Sequence, residues 1–262
     1  MKNKYLIFRR IVQLTIMSLF VGSSYFGWKI LQGNYNTAEV LGLFYLSDPY
    51  SVLQVLFSGY FPGIDIVIGA LIIASLYFLI RGRMFCSWVC PLNIVTDTAA
   101  WLQRKLKIKP AISKSQINRR IRYYVLGLGL VLSAIFGLSA FETISPISML
   151  HRAIIFSSLS GLIVVLVVFL FDLFFLRHGW CGYICPVGAF YSILGKKGSL
   201  KVLHTQENCT NCMKCKIVCP EVEVLDIIGK KTGTIRGGAC TNCGRCIEVC
   251  EDDALNFKIT IK

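Results

Sequence analysis

The chain has 262 residues, of which 55% are hydrophobic, and such a composition predicts membrane-spanning segments rather than an ordinary soluble protein. Its twelve cysteines do not fit the disulfide framework of a short secreted protein. The net charge of +14 is concentrated in residues 1–198, which hold 19 Lys and Arg against 6 Asp and Glu, whereas residues 199–262 hold 9 against 8. Positive charge beside apolar segments is typical of membrane topology, so nucleic acid is not an expected partner.

Four apolar runs predict an all-α membrane domain of four transmembrane helices in residues 1–198. The first run follows a basic start and is longer than the apolar core of a signal peptide, so we expect an uncleaved span. The four predicted spans are residues 11–28, 64–80, 123–141 and 153–176.

The charges of the loops predict the orientation. Residues 31–63 contain no Lys or Arg, so we expect an extracytoplasmic loop that lies partly in the membrane interface. Residues 81–122 contain ten Lys and Arg and one acid, so we expect them in the cytoplasm. Within them, residues 94–106 predict an amphipathic surface helix with Trp101 as an interfacial anchor. The chain is therefore predicted to be a multi-pass inner-membrane protein with both termini in the cytoplasm.

Two short patterns occur twice in the membrane domain. Pro-x-Ser-x-Leu begins at Pro49 and again at Pro146, and Cys-x3-Cys-Pro begins at Cys86 and again at Cys181. The offsets are 97 and 95 residues, so the two pairs match in the same order at a nearly constant spacing. We interpret this as an internal repeat of two helical hairpins related by a pseudo-two-fold axis, an arrangement that often houses a site.

The Cys-x3-Cys-Pro motifs are candidate functional sites. A proline after the second cysteine favours a helix start, where the amide groups lower the pKa of a thiol. Two symmetric copies favour redox-active dithiols or a metal site of four thiolates, although the alternative is that the cysteines stay reduced and pack at the repeat interface. The four cysteines are Cys86, Cys90, Cys181 and Cys185.

Residues 199–262 predict a small α+β domain with strands at 200–204 and 254–261 around two cysteine loops. Cys-x2-Cys-x2-Cys-x3-Cys occurs twice, the pattern of bacterial ferredoxins that carry two [4Fe–4S] clusters, in which the fourth cysteine of each run ligates the other cluster. Zinc and disulfides are weaker alternatives, because zinc sites usually use two separated Cys-x2-Cys pairs. We assign one cluster to Cys209, Cys212, Cys215 and Cys250, and the other to Cys240, Cys243, Cys246 and Cys219. One departure is Glu251, where the second motif often has a proline.

The four spans, the two Cys-x3-Cys-Pro motifs and the double ferredoxin motif together resemble the NapH/MauN family of ferredoxin-type membrane proteins. The resemblance covers nearly the whole chain. It implies a quinol dehydrogenase subunit that takes electrons from menaquinol or ubiquinol in the membrane quinone pool. It also implies a NapG-like iron–sulfur subunit and a periplasmic nitrate reductase chain as partners, with this chain carrying electrons and not itself reducing nitrate.

Quinol oxidation releases protons, which makes ionisable residues near the spans of interest. His151, with an ordinary pKa near ~6.5, is a candidate acceptor. Asp65, Glu142 and Asp172 are further candidates. For each of the four residues alone, an ordinary solvated position at the interface is the more common explanation.

Two alternative functions remain. CcoG-type membrane ferredoxins share the double Cys-x3-Cys-Pro pattern and reduce copper ions for cytochrome oxidase assembly. Such chains usually continue beyond the ferredoxin block, whereas this one ends at Lys262, which favours the quinol interpretation. The other alternative is a non-catalytic membrane anchor for a reductase complex.

Overall fold

The computed structural model describes residues 3–112, 117–235 and 237–260, and helices form most of that chain. The α-helices are α1 (Lys4–Phe26), α2 (Pro49–Phe57), α3 (Ile64–Leu79), α4 (Met84–Trp88), α5 (Leu92–Lys105), α6 (Ile121–Phe136), α7 (Ala140–Ile144), α8 (Pro146–Phe156), α9 (Leu159–Leu170), α10 (Pro186–Leu194), α11 (Lys214–Val218) and α12 (Arg245–Glu248). Shorter π and 3₁₀ turns lie at Phe171–Phe175, Trp180–Ile184, Gly195–Lys197 and Val222–Leu225. The strands are β1 (Leu31–Gly33), β2 (Thr37–Val40), β3 (Phe44–Ser47), β4 (Leu200–His204), β5 (Gly233–Thr234) and β6 (Leu255–Ile259).

The chain packs as two compact units. We call the first the ferredoxin unit, which consists of Met1–Gln13, Leu76–Val89 and Tyr191–Lys262. We call the second the helical unit, which consists of Leu14–Ser75 and Cys90–Phe190. The division of the sequence into domains 1–198 and 199–262 stays a prediction.

The Pro-x-Ser-x-Leu repeat begins a short helix in both copies. Pro49 occupies the first turn of α2, and the carboxylate of Asp48 accepts a hydrogen bond of 3.0 Å from the backbone N–H of Ser51. Pro146 occupies the first turn of α8. Proline suits this place because its missing N–H would have no partner in the helix anyway. In each copy an apolar helix follows, α3 after α2 and α9 after α8, so the repeat seen in the sequence is present in the element order.

One helix of the described residues, α1, is long and apolar enough by itself to cross a membrane. The predicted second span corresponds to α3. The predicted third span is shorter than expected, because α6 ends at Gly137, whose φ of 65° is left-handed. Four further apolar helical segments of 10–17 residues are Ile64–Leu79, Ile121–Phe136, Pro146–Phe156 and Leu159–Phe175.

The predicted fourth span, 153–176, is divided between two helices. α8 ends at Ser157, which has a φ of 50°, and α9 begins after Ser158 with extended backbone. α9 lies close against α8 at Gly161, where a Cβ atom would stand 2.4 Å from the carbonyl oxygen of Met149. The apolar run therefore folds back on the end of α8 instead of continuing it, a turn that hydropathy alone does not predict.

The amphipathic helix predicted at 94–106 is observed as α5. Its buried face includes Gln103, whose side-chain amide donates 2.8 Å to the carbonyl of Leu173 and accepts 2.7 Å from Nε of Arg177. Trp101 is exposed on this helix, as an interfacial anchor requires.

The loop predicted at 31–63 contains a small antiparallel sheet in the order β1-β2-β3. Leu41 and Gly42 have φ of 54° and 69°, and two consecutive left-handed residues make the tight turn that joins β2 to β3. Ala38 of β2 packs in a core with Phe20 of α1 and Ile155 of α8. The sheet is thereby fixed to the helices of its unit.

The second sheet lies in the ferredoxin unit in the order β5-β4-β6, with both pairs antiparallel. It confirms the strands predicted at 200–204 and 254–261, although Ile261 lies outside the described residues. The end of α3 is hydrogen-bonded to the start of β4. The backbone N–H groups of Ser199 and Leu200 donate to the carbonyls of Leu79 and Ile80 at 2.9 and 3.0 Å. The residues next to the first Cys-x3-Cys-Pro motif are thus part of the ferredoxin packing.

This junction predicts an intolerance of side chains at Gly82. A Cβ atom there would stand 1.8 Å from the carbonyl oxygen of Tyr191 and 2.7 Å from the backbone nitrogen of Gly195. Because backbone atoms cannot step aside cheaply, we expect Gly82→Ala to destabilise the protein by about 2 kcal/mol or more and lower the thermal midpoint by several degrees.

Gly233→Ala is the matched control in the same unit, because a Cβ atom at Gly233 meets nothing within 4 Å. Thermal unfolding of the purified proteins followed by circular dichroism measures both. Equal midpoints for Gly82→Ala and Gly233→Ala would contradict the close backbone approach.

Candidate iron–sulfur sites

The two ferredoxin motifs adopt the same local backbone. In Cys-Thr-Asn-Cys at 209–212 and at 240–243, the asparagines Asn211 and Asn242 have φ of 58° and 48°. Two residues further on, Met213 and Gly244 have φ of 57° and 76°. Left-handed residues alternating with right-handed ones turn successive backbone N–H groups toward one concave side, an arrangement that stabilises anionic groups, iron–sulfur clusters included. The asparagines suit this geometry because Asn tolerates the left-handed region better than most residues.

One cavity in the ferredoxin unit, the first cysteine cavity, is lined by three cysteines of the first motif and one of the second. Its other walls are mainly apolar, with Ile228, Val249 and Leu255 among them. The cysteines are Cys209, Cys212, Cys215 and Cys250.

The second cysteine cavity has the reverse composition, with three cysteines of the second motif and one of the first. Its apolar walls include Val202, Leu225 and Ile235. The cysteines are Cys219, Cys240, Cys243 and Cys246. Each cavity therefore brings together the same four cysteines that the spacing assigned to one cluster.

The thiols of the second cavity are strongly desolvated. Burial, followed by the charge of other cysteines, raises the pKa of Cys246 well above its ordinary value. Burial also raises the pKa of Cys240, and the neighbouring Arg81 opposes that rise. The backbone N–H groups of Glu221 and Asn242 donate to the sulfur atoms of Cys219 and Cys240. A bound metal centre must displace these protons, after which the arginine and the N–H groups stabilise the thiolates.

The donor set fits iron–sulfur clusters better than a single metal ion. Within the described ranges, no group of three or more His, Cys, Asp or Glu side chains is placed to hold one ion. A zinc site needs four ligands at about 2.3 Å from one centre, whereas a cubane carries its thiolates on separate iron corners. Four thiols around an apolar cavity, with backbone N–H donors beside them, match the second requirement.

Two buried arginines hold the loops of the second cavity. Arg83 donates to the carboxylate of Glu221 at 2.5 Å and to the carbonyl of Ala239 at 2.9 Å. These acceptors lie two residues after Cys219 and one residue before Cys240. Arg81 donates to the carbonyls of Ile235, at 3.2 Å, and Gly237, at 2.5 Å. The sequence does not predict these contacts, because no local pattern marks the acceptors.

Ser87 and Trp88, inside the first Cys-x3-Cys-Pro motif, also contact the second ferredoxin loop. The hydroxyl of Ser87 donates 2.6 Å to the carbonyl of Thr241, and the indole N–H of Trp88 donates 3.1 Å to that of Asn242. Cys86, half-buried in α4, lies between residues that support the second cysteine cavity.

The other three candidate thiols belong to the helical unit. Cys185 has extended backbone, and α10 begins at the next residue, Pro186, which confirms the predicted helix start. In the first motif the helix begins one residue later, with Pro91 as the cap of α5, so Cys90 is further from the helix end than predicted. Cys90 and Cys185 are buried, and the sulfur of Cys181 lies 3.9 Å from the hydroxyl of Thr96. The structure thus supplies buried thiols but leaves their role as redox or metal thiols a prediction.

The ionisable candidates occupy different surroundings. Asp65 is exposed in the first turn of α3, as the ordinary explanation expects. Asp172 is fully buried and accepts 3.0 Å from the backbone N–H of Trp180. His151 is buried and lines a cavity of the helical unit. Glu142 is bonded to Asn36 and Ser148, and burial, followed by Asp48, raises the pKa of Glu142 to about 7.

Comparison with known families supports the iron–sulfur assignment. Residues 201–251 match the family described as 4Fe-4S dicluster domain. Residues 62–109 and 157–203 each match the family described as 4Fe-4S binding domain, and the two matches begin 95 residues apart, the offset of the Cys-x3-Cys-Pro motifs. The same family matching twice confirms that the chain contains an internal repeat.

Several curated proteins are similar over nearly their whole length. The chain is 40% identical to the ferredoxin-type protein NapH of Escherichia coli, with 99% of this chain and 90% of that protein covered. It is 41% identical to the methylamine utilization ferredoxin-type protein MauN of Methylobacillus flagellatus, with 99% and 92% covered. It is 40% identical to the NapH protein of Haemophilus influenzae, with 97% and 90% covered. No solved structure matches the chain.

The Arg83–Glu221 pair predicts a specific loss on mutation. Arg83→Met removes the buried ion pair with the Glu221 carboxylate, which we expect to destabilise the ferredoxin unit by about 3 kcal/mol and to speed iron loss from the second cysteine cavity. Iron release to a chelator, followed by absorbance in the visible range, measures this.

The double variant Arg83→Met/Glu221→Leu should recover much of the stability, because it removes the buried charge together with its partner. Lys214→Met is the surface control, since its ion pair with Glu251 is exposed and contributes little. Equal iron retention in Arg83→Met and Lys214→Met would contradict the anchoring role.

Proposed function

The chain belongs to the family of NapH and MauN ferredoxin-type proteins, and from that premise we propose that it is the membrane subunit of a quinol dehydrogenase. In this proposal it takes electrons from menaquinol or ubiquinol and passes them to a NapG-like iron–sulfur subunit and on to a periplasmic nitrate reductase. The observation that carries the electron-transfer role is the pair of cavities, each lined by four cysteines.

We propose that each cysteine cavity holds one [4Fe–4S] cluster with the crossed ligand set. When bound, such clusters supply one-electron transfer, at potentials set by net charge, hydrogen bonds to the sulfurs and solvent exposure. The chain's own part is to deliver four thiolates to each cavity and to exclude water with the apolar walls. Arg81 and Arg83 stabilise the thiolate charge and fix the loops, and cluster potentials are sensitive to such charge and hydrogen bonding.

A multi-pass inner-membrane location is part of the proposal, with both termini and the domain 199–262 in the cytoplasm. Four apolar segments support it, namely α1, α3, α6 and the run Leu159–Phe175. The basic segment 81–122 supports the orientation, since short loops rich in Lys and Arg stay in the cytoplasm. The exposed Trp101 on α5 is consistent with a helix at the membrane surface.

A second candidate function is electron transfer in a different metabolic system. A MauN protein, named for methylamine utilization, is 41% identical to this chain, as similar as the NapH proteins are. We therefore hold electron transfer in methylamine utilization as the second candidate. Both candidates use the same cysteine cavities and differ in the partner.

The crossed ligand set predicts an unusual pattern of iron loss. Cys215 and Cys250 line the same cavity. We therefore expect Cys215→Ala, Cys250→Ala and their double variant each to keep about four irons per chain. Cys215→Ala/Cys219→Ala removes a ligand from each cavity and should keep almost none. Iron per chain and the electron paramagnetic resonance of the dithionite-reduced protein measure this.

The opposite pattern, with iron lost in Cys215→Ala/Cys250→Ala and kept in Cys215→Ala/Cys219→Ala, would show that each motif holds its own cluster. Zinc in place of iron in the wild-type protein would overturn the cluster proposal itself. Lys214→Met, which changes an exposed side chain beside Cys215, is the control for general damage to the loop.

The quinol role is tested on anaerobic membranes that also contain a periplasmic nitrate reductase and its iron–sulfur partner. We expect menadiol oxidation coupled to nitrate reduction with the wild-type chain, and a loss of at least tenfold with Cys215→Ala/Cys219→Ala. Unchanged electron flow in that variant would instead indicate a non-catalytic anchor. Reduction of Cu(II) to Cu(I) by the purified protein, abolished in Cys86→Ser, would favour the copper alternative.

A further inference from the structure

The helical unit contains a cavity of about 310 Å³ between α1, the turn from β1 to β2, and α8. This volume lies within the range of small-molecule sites. We call it the His151 cavity. Its lining residues include Phe20 and Ser23 of α1, Asn36 of the turn, and His151 of α8.

The polar side of the cavity has a ring nitrogen without a partner. His151 is 8% exposed, and its Nε2 has no hydrogen-bond partner among the residues that the structure describes. A buried ring nitrogen without a partner costs free energy unless a ligand or water bonds to it. Burial, followed by Arg152, lowers the pKa of His151, which favours the neutral ring. A neutral imidazole has one nitrogen that can accept a proton.

A chain of hydrogen bonds leads from the same side of the cavity to a carboxylate. Asn36 donates to the hydroxyl of Ser148 at 3.1 Å, and that hydroxyl lies 3.3 Å from Oε2 of Glu142. Asn36 and Ser148 line the cavity, whereas Glu142 lies behind them. The raised pKa of Glu142, about 7, lets its carboxyl group both take up and release protons near neutral pH.

The other side of the cavity is apolar. A narrow cleft shares Phe20, His151 and Ile155 with it and has an almost entirely hydrophobic lining. Tyr35 lies in this cleft with its ring against His151 at a centroid distance of 5.8 Å, and its buried hydroxyl also has no partner among the described residues. The remaining residues of the cleft are Met17, Val21, Pro91, Leu150 and Ile154.

We propose that the His151 cavity binds the ring of a quinol, with Nε2 of His151 accepting a hydrogen bond from one ring hydroxyl. This rests on the quinol dehydrogenase function proposed above and adds the place where the substrate binds. A hydroquinone ring matches both sides of the site, because it carries two hydroxyl donors on an apolar ring. Ser148 and Tyr35 are the candidate partners of the second hydroxyl.

The oxidation balances with the groups present. Hydroquinone becomes quinone when both O–H bonds break, with the loss of two protons and two electrons. One proton passes to Nε2 of His151, and the other passes by way of the Ser148 hydroxyl to the carboxylate of Glu142. The two electrons leave singly to one-electron iron–sulfur carriers, the class of oxidant that the proposed function names.

The test measures binding apart from turnover. Excess dithionite keeps both menadiol and the metal centres of the purified full-length protein reduced, so equilibrium dialysis gives the menadiol dissociation constant without reaction. We expect His151→Gln to raise that constant about tenfold, the effect of losing one hydrogen bond to a buried acceptor. Ser23→Leu, which extends an apolar side chain into the cavity, should raise it at least as much. Tyr25→Phe is the control, because Tyr25 donates to the carbonyl of Ile155 at 2.9 Å and is not among the lining residues.

The outcomes separate this proposal from the proposed function. Unchanged menadiol affinity in both His151→Gln and Ser23→Leu would overturn the binding site, even if menadiol still reduces the wild-type clusters in the absence of dithionite. A loss of affinity in Tyr25→Phe equal to that in His151→Gln would also overturn it, because the loss would then reflect loosened packing of α1 and α8. Failure of menadiol to reduce the wild-type clusters would overturn the quinol dehydrogenase function, whereas the binding measurement still decides whether the cavity recognises a hydroquinone.

Discussion

The ferredoxin unit depends on two guanidinium groups that are almost completely buried. Arg81 and Arg83 are each 1% exposed, and their acceptors are one carboxylate and several backbone carbonyls of distant segments. Burying a guanidinium is costly unless acceptors surround it, so those segments must meet around it. Since the acceptors of Arg83 flank Cys219 and Cys240, the same requirement that neutralises the arginine also brings cysteines of both motifs to one cavity.

The cysteine cavities also explain why two motifs are needed and not one. The first loop has left-handed residues at Asn211 and Met213, and its fourth cysteine is not among the residues that line the first cysteine cavity. Cys219 instead follows α11 and lines the cavity of the other motif, and Cys250 does the reverse after α12. Each motif therefore contributes one cysteine to the cavity that the other motif mainly lines.

The cysteine grouping was predictable from the sequence because it follows from local spacing and from a stereochemical rule about tight loops. The sequence predicts where the apolar runs lie but not where the helices end. Gly137 and Ser157, each with left-handed backbone, terminate α6 and α8. Hydropathy records how apolar a run is and contains no information on such turns.

Other features were missed because they depend on contacts between residues far apart in the chain. The strands of the first sheet have three or four residues, too few for a period-two pattern to stand out, and Ala38 is held by Phe20 and Ile155. His151 was identified by its chemistry alone. Its importance as a cavity residue depends on Asn36 and Tyr35, more than a hundred residues earlier, and no local pattern around either residue marks them.

Quinol oxidation releases protons and electrons, and the groups that accept them need different surroundings. Protons need titratable groups close to the substrate, whereas electrons need thiolate-bound metal in an apolar environment with controlled charge. The two units of this chain divide these properties between them. The helical unit contains Glu142, whose pKa is raised to about 7 by burial, and His151, whose pKa is lowered by burial. The ferredoxin unit contains the eight ferredoxin cysteines. Under the proposed quinol dehydrogenase function, a chain with only the ferredoxin unit could store electrons but would have no group near the substrate to take the protons, so that function assigns the helical unit a part in the oxidation and not only in attachment.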